Sequence, residues 1–185
     1  MERLPPGQRW IPTPIVYDIV DHIPDWDMDS YRLRVFGQVE NPLELTYQQV
    51  LELPSVQIVA DFHCVTRWSV KDIQWEGVPT KVIAELAKVK PTAKYVMIYC
   101  LEGYTTNLPI EYFLAEDSLL AYKMNGQVLP KRHGYPLRLV VPKLYAWKSA
   151  KYVCGIEFME EDRPGFWEQR GYHMRGDPWK EERYW

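Results

Sequence analysis

The feature that most limits what this chain can fold into is the rhythm of its apolar segments. Short β-branched runs recur along it: "VQIVADF" (56–62), "KYVMIYCLEG" (94–103), "LRLVVP" (137–142) and "KYVCGIEFM" (151–159). Only one segment among them has a clean helical period. In "VPTKVIAELAKVKP" (78–91), Val82, Ile83, Leu86 and Ala87 share one face, and Pro91 follows the end. A doubly wound parallel sheet needs a crossover helix between successive strands. One such helix cannot serve four strands, so the expected class is α+β.

Smaller signals fill in the frame. "YRLRVFGQVE" (31–40) alternates Arg32 and Arg34 with Leu33 and Val35, the period of a half-buried strand. Thr46 and Gln49 have the spacing of a capping box before a short helix that stops at Pro54. Asn125-Gly126 sits between strand-like runs, the signal of a two-residue hairpin turn. "LPIEYFLAED" (108–117) reads as one or two helical turns, and the preceding "EGYTTN" as a loop. Residues 1–28 hold five prolines and little periodicity, and residues 163–185 are aromatic and charged without a period. The expectation is one domain over 1–185, carrying an arm at each end.

Composition enters mainly to exclude. A net charge of −3 without a basic run gives no pull toward phosphate backbones, so nucleic acid is not an expected partner. No apolar run approaches the roughly 18 residues of a membrane span, and "MERLPPGQRWIPTP" lacks the apolar core of a secretory signal. Three cysteines are an odd number without disulfide-framework spacing, which fits a reducing cytoplasm and at least one free thiol.

One of those thiols sits in "DFHCVTRWSV" (61–70), where a strand stops. Cys64 is open to three readings: a small buried hydrophobe, a nucleophile, or a ligand to something the chain does not contain. His63, Arg67 and Lys71 lie close by in sequence, and cationic neighbours favour the thiolate. His63 points to the opposite face if the strand continues, which leaves His133 as the base a thiol hydrolase or transferase would need. The chain has no CxxC or HExxH, so a metal held by protein ligands alone is not expected. A single thiolate can still be the one protein ligand to a metal that arrives inside an organic cofactor.

Residues 131–153, "KRHGYPLRLVVPKLYAWKSAKYV", gather basic groups around an apolar strand and an aromatic loop. Ser149 and Lys151 flank a strand start where backbone amides and an ammonium could hold a phosphate. An anionic ligand is expected there, although the same pattern describes a solvated hairpin rim, and a module that only binds a partner protein stays open. Thr106 and Asn107 are on their own a helix cap or turn that could also donate to a ligand.

Taken together, "HCVTRWS", "GYTTNLPIE", "HGYPLRLVVPKLYAWKSAKYVCGIEF" and "EDRPGFWEQRGYHMRGDPWKEERY" resemble the molybdopterin-binding domain of the sulfite oxidase family, in its small stand-alone form. The resemblance implies an α+β fold with mixed β-sheets and short helices, and a molybdenum-dependent oxidoreductase of the oxygen-atom-transfer type. It implies Mo-molybdopterin as cofactor, with Cys64 as the single thiolate on the metal. It carries the cofactor contacts to His133, Arg138, Ser149, Ala150 and Lys151, and a further one near Cys100. It places Arg67 against a small oxo-donor or oxo-acceptor substrate, with Trp68, Thr106 and Asn107 around the pocket. Relatives that oxidise sulfite set a run of arginines beside the cysteine; here a single arginine is followed by a tryptophan. No haem-attachment motif is present, so a separate electron-transfer partner is expected.

Overall fold

A computed structural model describes residues 2–184. In chain order the elements are β1 (Arg9–Trp10), β2 (Leu33–Gly37), β3 (Leu43–Leu45), α1 (Tyr47–Leu51), β4 (Val56–His63), β5 (Trp68–Pro79) and α2 (Thr80–Ala87). There follow β6 (Tyr95–Cys100), β7 (Thr105–Pro109), α3 (Ile110–Phe113), β8 (Leu119–Met124), β9 (Gln127–Val128), β10 (Arg138–Val140) and β11 (Val153–Met159). One sheet has six strands in the order β1-β5-β8-β10, with β4 paired to β5 and β9 to β8. The other has five in the order β3-β2-β11-β6-β7. Both are mixed: β1 runs parallel to β5 and β11 parallel to β2, and the remaining pairs are antiparallel. This is the α+β architecture of mixed sheets and short helices that the element rhythm and the resemblance led one to expect.

Local chemistry explains most of these elements. The Thr46 hydroxyl accepts from the Gln49 amide while the Gln49 side chain accepts from the Thr46 amide, so α1 starts on a complete capping box. Asn125 and Gly126 both have positive φ (51° and 79°), the conformation a two-residue hairpin between β8 and β9 requires. Helix α2 buries Ile83, Ala84 and Ala87 in the larger core, beside Val78 and Leu120 of one sheet and Val96 and Ile156 of the other.

Two strands lie where the sequence gives no strand reading. β5, twelve residues long, has no clean alternation because an extra residue between Val70 and Ile73 shifts its period. Asp72 takes a positive φ of 54°, and Gly77 lies so close to Leu120 that a Cβ would sit 1.9 Å from its carbonyl oxygen. The second correction is β7. The segment "TTNLP" is a strand rather than a loop, with Thr106, Asn107 and Leu108 all fully buried. Its polar side chains are satisfied by the C-terminal arm: Thr106 donates to Glu168 (2.9 Å), and Asn107 to Asp162 (2.9 Å). A polar strand buried on both faces carries no alternation to read.

Both arms are tied to the domain. β1 adds to β5, and the Gln8 side-chain amide donates to the carbonyls of Cys64 and Trp68 (both 2.9 Å). From the other terminus, buried Arg183 donates to Val65 O (2.6 Å) and to Gln8 Oε1 (2.8 Å). The two arms therefore meet on the turn that carries Cys64.

Candidate active site

That turn is short and tightly held. β4 ends at His63, the Cys64 amide donates to Trp68 O (2.9 Å), the Arg67 amide donates to Cys64 O (3.0 Å), and β5 begins at Trp68. Arg67 closes the turn with a φ of 78°. The turn delivers Cys64 to the wall of a cavity of about 360 Å³. Around the same cavity stand Trp68, His133, Arg138, Ser149 and Lys151, together with residues 14–19 of the N-terminal arm and Trp147, Trp167 and Tyr172. A volume of this size suits a small organic ligand.

Arg138 is the unusual member. It is 7% exposed, its Nε donates to Ser149 O (3.0 Å) and its Nη1 to His133 O (3.3 Å). Its guanidinium carbon lies 4.9 Å from the Phe62 ring and 5.7 Å from the Trp75 ring. No carboxylate among the described residues pairs with it. Burial pulls its pKa down to about 10, which still leaves it charged at neutral pH. A buried cation without an anion is costly, and facing a cavity it is poised for one.

The neighbours reinforce this field. His133 is driven down to about 4, first by burial and then by the charges of Arg138, Arg132 and Lys151, so its imidazole is neutral. Lys151 is pinned by Asp18 (2.6 Å) and donates to Tyr17 O (2.9 Å), which fastens the 14–19 segment across the cavity. Ser149 Oγ accepts from the Val141 amide (3.0 Å), leaving its own proton to donate. Glu102, also on the wall, is pushed up to about 7 by burial.

Cys64 itself departs from one expectation. Burial pushes its thiol above the ordinary range, against the downward pull of hydrogen bonding from Thr66 and the charge of Arg138. The three basic residues close in sequence do not do this work. His63 faces away and bonds Ser69 Oγ (2.7 Å), Arg67 pairs with Glu181 (3.6 Å) at 59% side-chain exposure, and Lys71 lies over Trp10 (4.8 Å). The cation that matters, Arg138, comes from 74 residues along the chain.

Other expected site residues are likewise placed outside the cavity wall. Arg67 points outward, and Thr106 and Asn107 face the C-terminal arm. Cys100 and Ala150 lie behind the wall in the larger core, where the Ala150 carbonyl accepts from the Leu139 amide (2.9 Å). Sequence reasoning missed Glu168, which pairs at 2.8 Å with Lys148 of the basic 131–153 stretch, both side chains fully buried. Glu168 also accepts from the Trp147 indole (2.7 Å), and so fixes an aromatic wall of the cavity. No local signal marks Glu168; only its contact with Lys148, twenty residues earlier, does.

The residues present fit a cofactor that carries its own metal and a negative charge. One thiol and one unpaired guanidinium share the wall, and no group of three or more His, Cys, Asp or Glu able to hold a metal occurs among the described residues. Fold and cavity together suit a domain that holds an anionic organic ligand.

The comparisons with known proteins specify the family. Residues 20–167 match the oxidoreductase molybdopterin binding domain, and the chain belongs to that family. It is 48% identical over 184 residues to the "Uncharacterized oxidoreductase YuiH" of Bacillus subtilis, covering 98% of this chain and 92% of that one. A "Protein-methionine-sulfoxide reductase catalytic subunit MsrP" from Burkholderia mallei is 34% identical, over 74% of this chain and 46% of that protein. The sulfane dehydrogenase SoxCD of Paracoccus pantotrophus matches with a TM-score of 0.68 at 27% identity, covering 75% of this chain and 40% of that one. The chain thus spans nearly all of YuiH but about half the length of the sulfoxide reductases it resembles. It is an enzyme of the sulfite oxidase family, a molybdopterin-dependent oxidoreductase, and this displaces the hydrolase and binding-only readings.

Proposed function

We propose that this chain is a molybdenum-dependent reductase that removes an oxygen atom from a neutral S-oxide, of the kind a methionine sulfoxide side chain presents. The carrying observation is the buried, carboxylate-free Arg138 on the same cavity wall as Cys64. In this reading Cys64 is the one protein ligand to the metal, and Arg138, Ser149, Lys151 and neutral His133 hold the pterin and its phosphate. The bound cofactor supplies the two-electron oxygen transfer. Reducing a sulfoxide to a thioether and water consumes two electrons and two protons. Glu102, pushed up to about 7, offers a proton from the cavity wall. The electrons come from a separate donor.

Two features favour a neutral substrate over sulfite. Arg67, the arginine nearest the cysteine in sequence, is turned to solvent and engaged with Glu181. The cavity also carries the aromatic surfaces of Tyr17, Trp68, Trp147 and Tyr172, which suit a thioether better than a small dianion. Sulfoxide reductases are among the relatives, which supports the same direction. The test is turnover of molybdenum-loaded protein with a reduced dye against methionine sulfoxide, and with an oxidised dye against sulfite. Faster turnover of the sulfoxide is expected. Sulfite oxidation at the higher kcat/KM, or Cys64→Ser protein with unaltered metal spectra, would sink the reading.

A further inference from the structure

A chain of three hydrogen bonds runs from the N-terminal arm to the Cys64 sulfur. The Trp68 indole nitrogen lies 3.4 Å from the Tyr17 hydroxyl, that hydroxyl 3.2 Å from Thr66 Oγ1, and Thr66 Oγ1 3.1 Å from Cys64 Sγ. Tyr17 also stacks on Trp68, with ring centroids 6.5 Å apart and planes 27° apart. It belongs to the 14–19 segment that Lys151 and Asp18 fasten across the cavity.

The donor inventory gives this chain a direction. An indole N–H only donates, so Tyr17 accepts from Trp68. A hydroxyl has one proton. While the sulfur keeps its proton, Thr66 can face either way. A cysteine that ligates a metal has lost it, so the sulfur can only accept. Thr66 must then donate to Sγ, and Tyr17 must donate to Thr66.

We propose that Tyr17 and Thr66 are positioning residues forming a one-way hydrogen-bond relay from the N-terminal strap onto the Cys64 sulfur, setting how strongly that sulfur donates charge to the bound metal. The proposal rests on the reading of Cys64 as the metal ligand. A hydrogen bond to a coordinating thiolate withdraws electron density from it and so favours the reduced metal. The relay therefore holds the metal's potential up, and couples it to whether the strap is closed. Tyr17 is 53% exposed, so water can stand in for its hydroxyl beside Thr66.

The test uses molybdenum-loaded protein and two readouts other than turnover: the Mo(V) electron paramagnetic resonance spectrum and the metal's midpoint potential. Thr66→Val keeps the shape and removes the donor; altered g-values and a shift to more negative potential are expected. Thr66→Ser should restore both. Tyr17→Phe should shift the potential in the same direction by less. A Thr66→Val protein indistinguishable from the parent overturns the relay, and an unshifted Tyr17→Phe protein removes the strap from it. Cys64→Ser is the control: if it too leaves the spectrum unchanged, the ligand assignment has failed, which the Thr66 variants alone would not reveal.

Discussion

Two buried cations, one on β10 and one on the loop from β10 to β11, live differently. Lys148 is fully buried, paired with Glu168 at 2.8 Å, and donates to the carbonyls of Asn107 and Met174. Arg138 is nearly as buried but has only two carbonyls and two aromatic faces. The first is a closed account within the protein: it fastens the C-terminal arm to β7 and holds Trp147 on the cavity wall. The second is left open, toward a cavity. A buried charge whose counter-ion is part of the fold is structural, and one whose counter-ion is missing from the fold marks a ligand site.

The contrast can be broken most forcefully at Lys148. Lys148→Met leaves Glu168 as an uncompensated buried charge, so a loss of about 3–5 kcal/mol of stability is expected, read by urea unfolding. Pairing it with Glu168→Leu should recover much of that loss, since both charges are then gone. A loss in the double variant equal to the sum of the two single losses would mean that the pair is not coupled.

Arg138→Met should behave in the opposite way. Two carbonyls lose a donor, but an unpaired charge leaves the interior, so the cofactor-free protein should change by less than about 2 kcal/mol. Cofactor retention should instead weaken roughly ten- to a hundredfold, the worth of a charge-assisted hydrogen bond. Molybdenum and pterin content after dialysis measures this. Undiminished retention would reduce Arg138 to a packing residue.

The smallest effect sharpens the comparison by pH. In the unfolded chain the His133 imidazole takes up a proton below about 6.5. In the fold it stays neutral down to about 4, because it is buried beside Arg138, Arg132 and Lys151. Between those values the unfolded state binds more protons, so this group's contribution to stability is lost as the pH falls. His133→Gln should therefore gain stability relative to the parent as pH drops from about 6.5 to about 4. Bound anionic cofactor should shrink that difference by offsetting the positive field. A difference independent of pH would show that the field at His133 is not what its neighbours imply.

Much of this molecule is legible one segment at a time. The α1 capping box, the Asn125-Gly126 hairpin, the amphipathic face of α2 and the four apolar strands each have a local cause, and each appears where that cause lies. β5 and β7 do not, because a bulge breaks the period of one and the other is buried on both faces. Cys64 stood out by its place at a strand end, and the family resemblance gave it a role, but its electrostatic partner could not be read nearby.

The sequence by itself determined the class of fold and two of the stretches that wall the cavity, because these depend on patterns within ten to twenty residues, and the family through motifs spread along the chain. Only the tertiary structure decided which cations reach the cysteine, which polar groups face the C-terminal arm, and which buried charge lacks a partner. Those are questions of distance between segments far apart in the chain, and Coulombic energy follows distance in space. Arg67, three residues from Cys64, points to solvent; Arg138, 74 residues along the chain but on the same cavity wall, is the charge that acts on it.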